Sequence, residues 1–183
     1  TTPGHGDFHY MYFNPPNSVT WHSSYTTAWV TQTPNEQIDV EQGTTRTWMV
    51  QYRNTGTTTW FRDKNAYPYD YIELVSCDGG GAVVPSFFYS PGLGWIDAET
   101  PCTMQEANVA PGSVATFSFQ GQIATNDPLG SRDIYFRVRH SLAGLLEDWG
   151  GMHYVITVVP RTPYDFDGDG LLDGEELMKT KCD

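Results

Sequence analysis

Positive charge is scarce in this chain: ten Lys and Arg stand against 22 Asp and Glu, a net charge of −12. No basic stripe exists to meet phosphates, which argues against a nucleic-acid partner. No apolar run approaches the roughly eighteen residues that a spanning helix needs, so no membrane span is expected. A helical period of useful length is missing before residue 174. Catalytic signatures are missing as well. There is no Gly-x-Ser-x-Gly elbow, and His5, His9, His22, His140 and His153 show no metal-ligand spacing. His5 and His9 would share a metal only if their segment folded back, and surface or packed histidines are the plainer reading. The adjacent acids Glu147 and Asp148 would point to opposite faces of a strand, so they cannot form one glycosidase pair. A protein without enzymatic activity is the expectation.

Cysteine is sparse and odd in number. Cys77 and Cys102 flank a loop-rich insertion and are expected to pair. Such a bond would stabilise the insertion by about 3 kcal/mol, by restricting the unfolded chain. Cys182 is left over near the end of the sequence.

What the chain does have is Thr, Tyr, Trp and Gly between short polar turns, the composition of an extracellular all-β protein. No signal peptide is read in the sequence, and a start at Thr1 fits either a mature secreted chain after cleavage or a trimmed one, with secretion as the expectation. Strands are predicted over 25–32, 45–53, 71–76, 114–120, 134–140 and 152–159. Asn54-Thr55-Gly56, Asp78-Gly79-Gly80-Gly81, Pro111-Gly112 and Asn126-Asp127-Pro128 punctuate them. Strands at this spacing predict an antiparallel β-sandwich.

Several motifs sharpen that prediction. Tyr25-x-x-Ala28-Trp29-Val30-x-Gln32 is followed by Tyr52-Arg53-Asn54-Thr55-Gly56-Thr57-x-x-Trp60. Val109-Ala110-Pro111-Gly112-Ser113 and Glu147-Asp148-Trp149-Gly150-Gly151 come later. Together they resemble the FW-type, four-tryptophan Ig-like domain of selective-autophagy receptors and of many bacterial secreted and surface proteins. The resemblance covers residues 24–159 and implies an Ig-like sandwich with a binding or spacer role. It supplies no catalytic residues. The chain departs from that pattern in a long insertion from Asp78 to Met104 and in the surroundings of the last tryptophan. Trp29, Trp48, Trp60 and Trp149 are expected in the core and at its corners. Trp95, in the insertion, is the candidate ligand platform, since sugars stack on exposed aromatic faces.

The most specific stretch lies near the C-terminus. Asp165-Phe166-Asp167-Gly168-Asp169-Gly170-Leu171-Leu172-Asp173-Gly174-Glu175-Glu176 fits a calcium loop, with Ca2+ as the expected cofactor. Asp165, Asp167 and Asp169 offer carboxylates on alternate residues, and Gly170 allows the sharp turn. Leu171 would contribute its carbonyl, Asp173 a carboxylate direct or through water, and Glu176 both oxygens. From Asp165 onward seven acids meet two lysines, so five of the twelve net negative charges gather where a cation would sit. Pro160 and Pro163 exclude an entering helix, while residues 175–179 can form a short exiting one. The stretch resembles thrombospondin type 3 and dockerin repeats, which are extracellular, and so implies a structural clamp.

Three parts follow: an N-terminal extension over 1–23, a β-sandwich over 24–160 and a calcium loop with one short helix over 161–183. Within the extension, Phe8, Tyr10, Tyr12 and Phe13 lie on a strand set off by Pro15-Pro16. A strand so placed could complete a neighbour's sheet and build a homo-oligomer or filament. A structural subunit of an extracellular or cell-surface assembly is the leading expectation, and a module that binds glycan or cell wall is the alternative.

Overall fold

Alternation decides this architecture. In the longest strands every second side chain is buried and the ones between are not, the period of a sheet with one covered face. The computed structural model describes residues 24–34, 37–146 and 152–161. The expectations for residues 8–13, Trp149, the calcium loop, its exiting helix and Cys182 lie outside the described residues.

The strands run in chain order as β1 (Thr27–Thr33), β2 (Gln37–Glu41), β3 (Thr45–Asn54), β4 (Trp60–Phe61), β5 (Ile72–Cys77), β6 (Cys102–Thr103), β7 (Asn108–Val109), β8 (Val114–Gln122), β9 (Gly130–His140), β10 (Gly144–Leu145) and β11 (His153–Val159). No helix occurs among the described residues. One sheet has the order β1-β3-β8. A second has the order β2-β11-β9-β5-β6, with β10 folded back on β9, and β4 and β7 make a small separate pair. The six long strands fall where the sequence places them. The pairing is not antiparallel throughout, as was expected: β2 runs parallel to β11, with Val155 opposite Gln37 and Val159 opposite Glu41. The chain leaves the first sheet after β1 and enters the second as β2, at the edge beside β11.

The inner faces of the two large sheets meet in one core. Trp48, Val50 and Tyr52 of β3 and Ala115, Phe117 and Phe119 of β8 face Ile134, Phe136 and Val138 of β9 and Tyr154, Ile156 and Val158 of β11. Two tyrosine hydroxyls tie the layers together. Tyr154 donates to the Met49 carbonyl at 2.9 Å, and Tyr52 to the Phe136 carbonyl at 3.1 Å. Each ring fills core volume while its polar tip meets an acceptor across the interface.

The insertion completes this core. Phe88 stacks on Trp48, with ring centroids 4.3 Å apart, and lies parallel to Phe136 at 6.3 Å. Gly121 is what admits it, because a β-carbon there would stand 2.8 Å from Trp48 Nε1 and 2.9 Å from Phe88 Cβ. Gln105 N donates to Thr116 O at 2.7 Å and closes the far end of the insertion onto β8.

Two sequence expectations need correction. Cys77 and Cys102 are free thiols. The β5–β6 register sets Cys102 opposite Leu74, three residues before Cys77, so the two side chains leave opposite faces of the sheet. The charges of Arg137 and Arg139 act on Cys77, whereas Cys102 meets the backbone of Ser118 on β8. Trp29 is not a core residue. It is 42% exposed, while Trp48 and Trp60 are fully buried. The register of β1 slips between Trp29 and Thr31, a bulge on an edge strand, and the extra residue turns this stretch out of the core's alternation.

Candidate functional site

The N-T-G and A-P-G-S motifs hold one end of the sandwich in place. Asn54 is fully buried. Its Nδ2 donates to the carbonyls of Thr58, at 2.8 Å, and Val109, at 3.0 Å, and its Oδ1 accepts from Gly56 N at 3.1 Å. Gly56 must lack a side chain, because a β-carbon would sit 2.4 Å from Ser24 O. Thr57 N and Thr58 N donate to the same Ser24 carbonyl. This packing sets residues 24–26 against the turn and delivers Tyr25 to the adjoining end of the second sheet.

There Tyr25, Asp70 and His140 meet. The Tyr25 hydroxyl donates to Asp70 Oδ1 at 2.8 Å, and His140 Nε2 lies 2.9 Å from the same oxygen. The Tyr25 and His140 rings pack against each other, with centroids 3.9 Å apart and planes tilted by 31°. His140 is 2% exposed. Its Nδ1 accepts from Leu142 N at 3.1 Å and from Ala143 N at 2.9 Å. An imidazole nitrogen that accepts two amides carries no proton, so the ring's hydrogen sits on Nε2 and points at Asp70. Burial, the hydrogen bond to Asp70 and that residue's charge, in that order, push the Tyr25 hydroxyl up to about 12. Both partners of the carboxylate are therefore neutral donors.

Asp70 sits where a surface turn returns to β5. Asp63 Oδ1 caps the start of that loop through Asn65 N and Ala66 N. Tyr67 N then donates to Asp63 O, and Asp70 N to Tyr67 O, closing a turn with Pro68 and Tyr69 at its tip. Tyr67 stacks on Phe61, with centroids 4.0 Å apart and planes 16° from parallel, and stays 42% exposed. Tyr69 is 70% exposed. Ser141 pairs with Tyr71 through N–H to carbonyl at 3.0 Å, and Tyr71 N donates to Ser141 Oγ at 3.2 Å. That pairing brings the adjacent Leu142, also 70% exposed, alongside the turn. The Asp70 side chain keeps 38% of its surface open.

The result is a carboxylate with one oxygen committed to the protein, bordered by aromatic and aliphatic surface. It can accept hydrogen bonds from a ligand and offer that ligand an apolar face. A hydrolytic dyad is a different arrangement: Nδ1 of His140 is filled by backbone amides and its ring face by Tyr25, which leaves no nitrogen to take a nucleophile's proton.

Trp95 lies elsewhere, on the insertion. Its indole N–H donates to Gln120 O at 2.6 Å, and its ring meets Phe119 and Tyr89 edge-on. The ring is half-buried and packs against the core. Tyr89 and Ile96 are the more exposed apolar residues of that loop. Sequence reading singled out Trp95 and passed over Tyr25, Asp70, Tyr67 and Tyr69. The available signal was Tyr67-Pro68-Tyr69-Asp70-Tyr71, three tyrosines and an acid around a turn proline, a density that marks binding loops.

No protein family and no curated protein matches the chain, so the resemblance to the four-tryptophan domain rests on its motifs. Among the solved structures that match the chain are two at 13% identity. One is described as a GspB Siglec domain, with a TM-score of 0.38, covering 75% of this chain and 58% of that one. The other is the sialic acid binding region of a Streptococcus sanguinis SK1 adhesin bound to 3'sLn, with a TM-score of 0.40, covering 78% of this chain and 32% of that one. The chain thus spans less than two thirds of either. At this level the likeness assigns no ligand to the present protein.

Proposed function

We propose that residues 24–161 form an Ig-like, non-enzymatic glycan-binding module of an extracellular or cell-surface protein, with Asp70, Tyr67 and Tyr69 at its ligand site. One observation carries the reading. A carboxylate fixed by Tyr25 and His140 stands half-open beside exposed aromatic rings. A pyranose offers the two complementary features, an apolar C–H face that stacks on tyrosine and hydroxyls that donate to a carboxylate. Tyrosine suits such a loop because it brings large contact area at a small entropic cost.

Residues 165–176 remain a proposed calcium loop, with Asp165, Asp167, Asp169, Leu171, Asp173 and Glu176 as ligands, and its role would be to clamp the chain that follows the module. The filament reading of Phe8, Tyr10, Tyr12 and Phe13 finds less support. The bulge of β1 interrupts the regular ladder that an added strand needs at that edge.

A glycan array followed by calorimetry tests the proposal. Binding to a defined glycan is expected, falling at least about tenfold in Tyr69→Ala. Absence of glycan binding, or binding indifferent to both Tyr67→Ala and Tyr69→Ala, overturns it.

A further inference from the structure

Among glycans, we infer that the Asp70 site selects uncharged, hydroxyl-rich sugars and rejects those bearing a carboxylate; the inference rests on the glycan reading above. The argument concerns where charge is and is not compensated. Asp70 receives two hydrogen bonds, and neither donor brings a positive charge. Tyr25 stays protonated, its hydroxyl pushed up to about 12. His140 holds its one proton on Nε2, because Nδ1 accepts from two backbone amides. These donors therefore bring no positive charge to offset the carboxylate, which presents acceptors to a ligand.

The cations nearest in sequence are directed elsewhere or lie out on the loop. Arg62 donates to Gln105 O at 2.6 Å. Arg139 is one residue from His140 but leaves the opposite face of β9, where it pairs with Glu73 at 2.7 Å and reaches Thr100 Oγ1 at 3.3 Å. Lys64 and Asp63 are neighbours of opposite sign at the start of the loop. No guanidinium among the described residues is bonded to Asp70.

An anionic sugar docked on Tyr69 would thus meet a fixed like charge, whereas a neutral pyranose would donate hydroxyls to the open oxygen. Both Asp70 contacts converge on Oδ1, so the second oxygen is the one offered to the ligand. That oxygen carries two lone pairs, so it can accept from two hydroxyls set close together, which a vicinal pair on a pyranose supplies.

The test uses matched pairs of probes on the full chain: N-acetyllactosamine against its 3′-sialylated form, and neutral glucose and N-acetylglucosamine oligomers against glucuronate-containing ones. Binding is measured for wild type, Tyr69→Ala, Asp70→Asn and Lys64→Gln. Asparagine keeps the Oδ1 acceptor for Tyr25 and His140, and near-ultraviolet circular dichroism checks that the end of the sandwich is intact. The expected result is that neutral members bind at least about tenfold tighter than their anionic partners. Asp70→Asn should erase that preference, and Lys64→Gln should leave it. If an anionic member binds as tightly as its neutral counterpart, and Tyr69→Ala abolishes both, the glycan reading stands and this inference falls. If no probe of either charge binds, both fall. If a neutral preference persists in Asp70→Asn, the selectivity lies elsewhere and the assignment to Asp70 is wrong.

Discussion

Asn54 Nδ2 donates to the carbonyl of Val109 across 55 residues of chain, and one side chain thereby joins the two most recognisable turns of the sequence. The same amide group accepts from Gly56 and donates to Thr58, so both of its donors and its oxygen are engaged inside the fold. Asn54→Ala would leave the Val109 and Thr58 carbonyls and the Gly56 amide with no side-chain partner. A loss of about 2–3 kcal/mol is expected, read from the denaturant midpoint. A midpoint shift equivalent to less than about 0.5 kcal/mol would show that the clip is dispensable.

Gly121 offers a steric counterpart. An added methyl there meets Trp48 and Phe88 at once. Gly121→Ala should cost about 1–3 kcal/mol through overpacking and shift tryptophan emission as the Trp48–Phe88 stack is displaced. Unchanged emission and stability would mean that the insertion can yield without cost.

The thiols make a chemical prediction. Burial pushes Cys77 up to about 11, against a partial offset from the charge of Arg137, and Cys102 up to about 12. Both should resist a thiol reagent at pH 8 in the native protein and react once guanidinium unfolds it. In a Cys182→Ser background, two thiols should appear only on unfolding. A disulfide between them under non-reducing mass spectrometry would contradict the strand register.

Alkaline pH should destabilise the module, and the sign follows from linkage. Tyr25 keeps its proton in the folded state up to about 12, above the ordinary tyrosine value near 10. Its contribution is fully present below about pH 10 and is lost as pH rises towards 12. Cys77, Cys102 and Tyr154 are shifted in the same direction. Stability should therefore begin to fall above about pH 9. Tyr25→Phe should flatten part of that fall, a change visible by comparing urea titrations at pH 9 and pH 11.

For the proposed calcium loop, Glu176→Ala should weaken calcium binding at least about tenfold by removing the expected closing bidentate ligand. Unaltered calcium affinity by calorimetry would remove the assignment.

The long strands were legible because alternation is a local property. Tyr135-Phe136-Arg137-Val138-Arg139 shows its buried and open sides without any partner in view. The two turns were legible because a buried Asn and a Gly forced against Ser24 O leave few other residues possible. The strand β2 was not, being five residues long with Asp39 between Ile38 and Val40 and a polar residue at each end. Glu73 reads as a surface residue, yet it is 6% exposed, because its Arg139 partner arrives from 66 residues away. The Tyr25–Asp70–His140 site was invisible for the same reason: its members are 45 and 70 residues apart, and only the pairing of β5 with β9 brings the last two together.

The parallel seat of β2 beside β11 also has a mechanical consequence. Residues 155–158 are flanked on one side by β2 and on the other by β9. A pull along the strand from its C-terminal end loads both ladders in shear, so several hydrogen bonds must give way together instead of peeling one after another. The strand that leads towards the proposed calcium loop is in this sense a tether, one that would hold the module against drag while the proposed ligand site at the opposite end stays clear of the load.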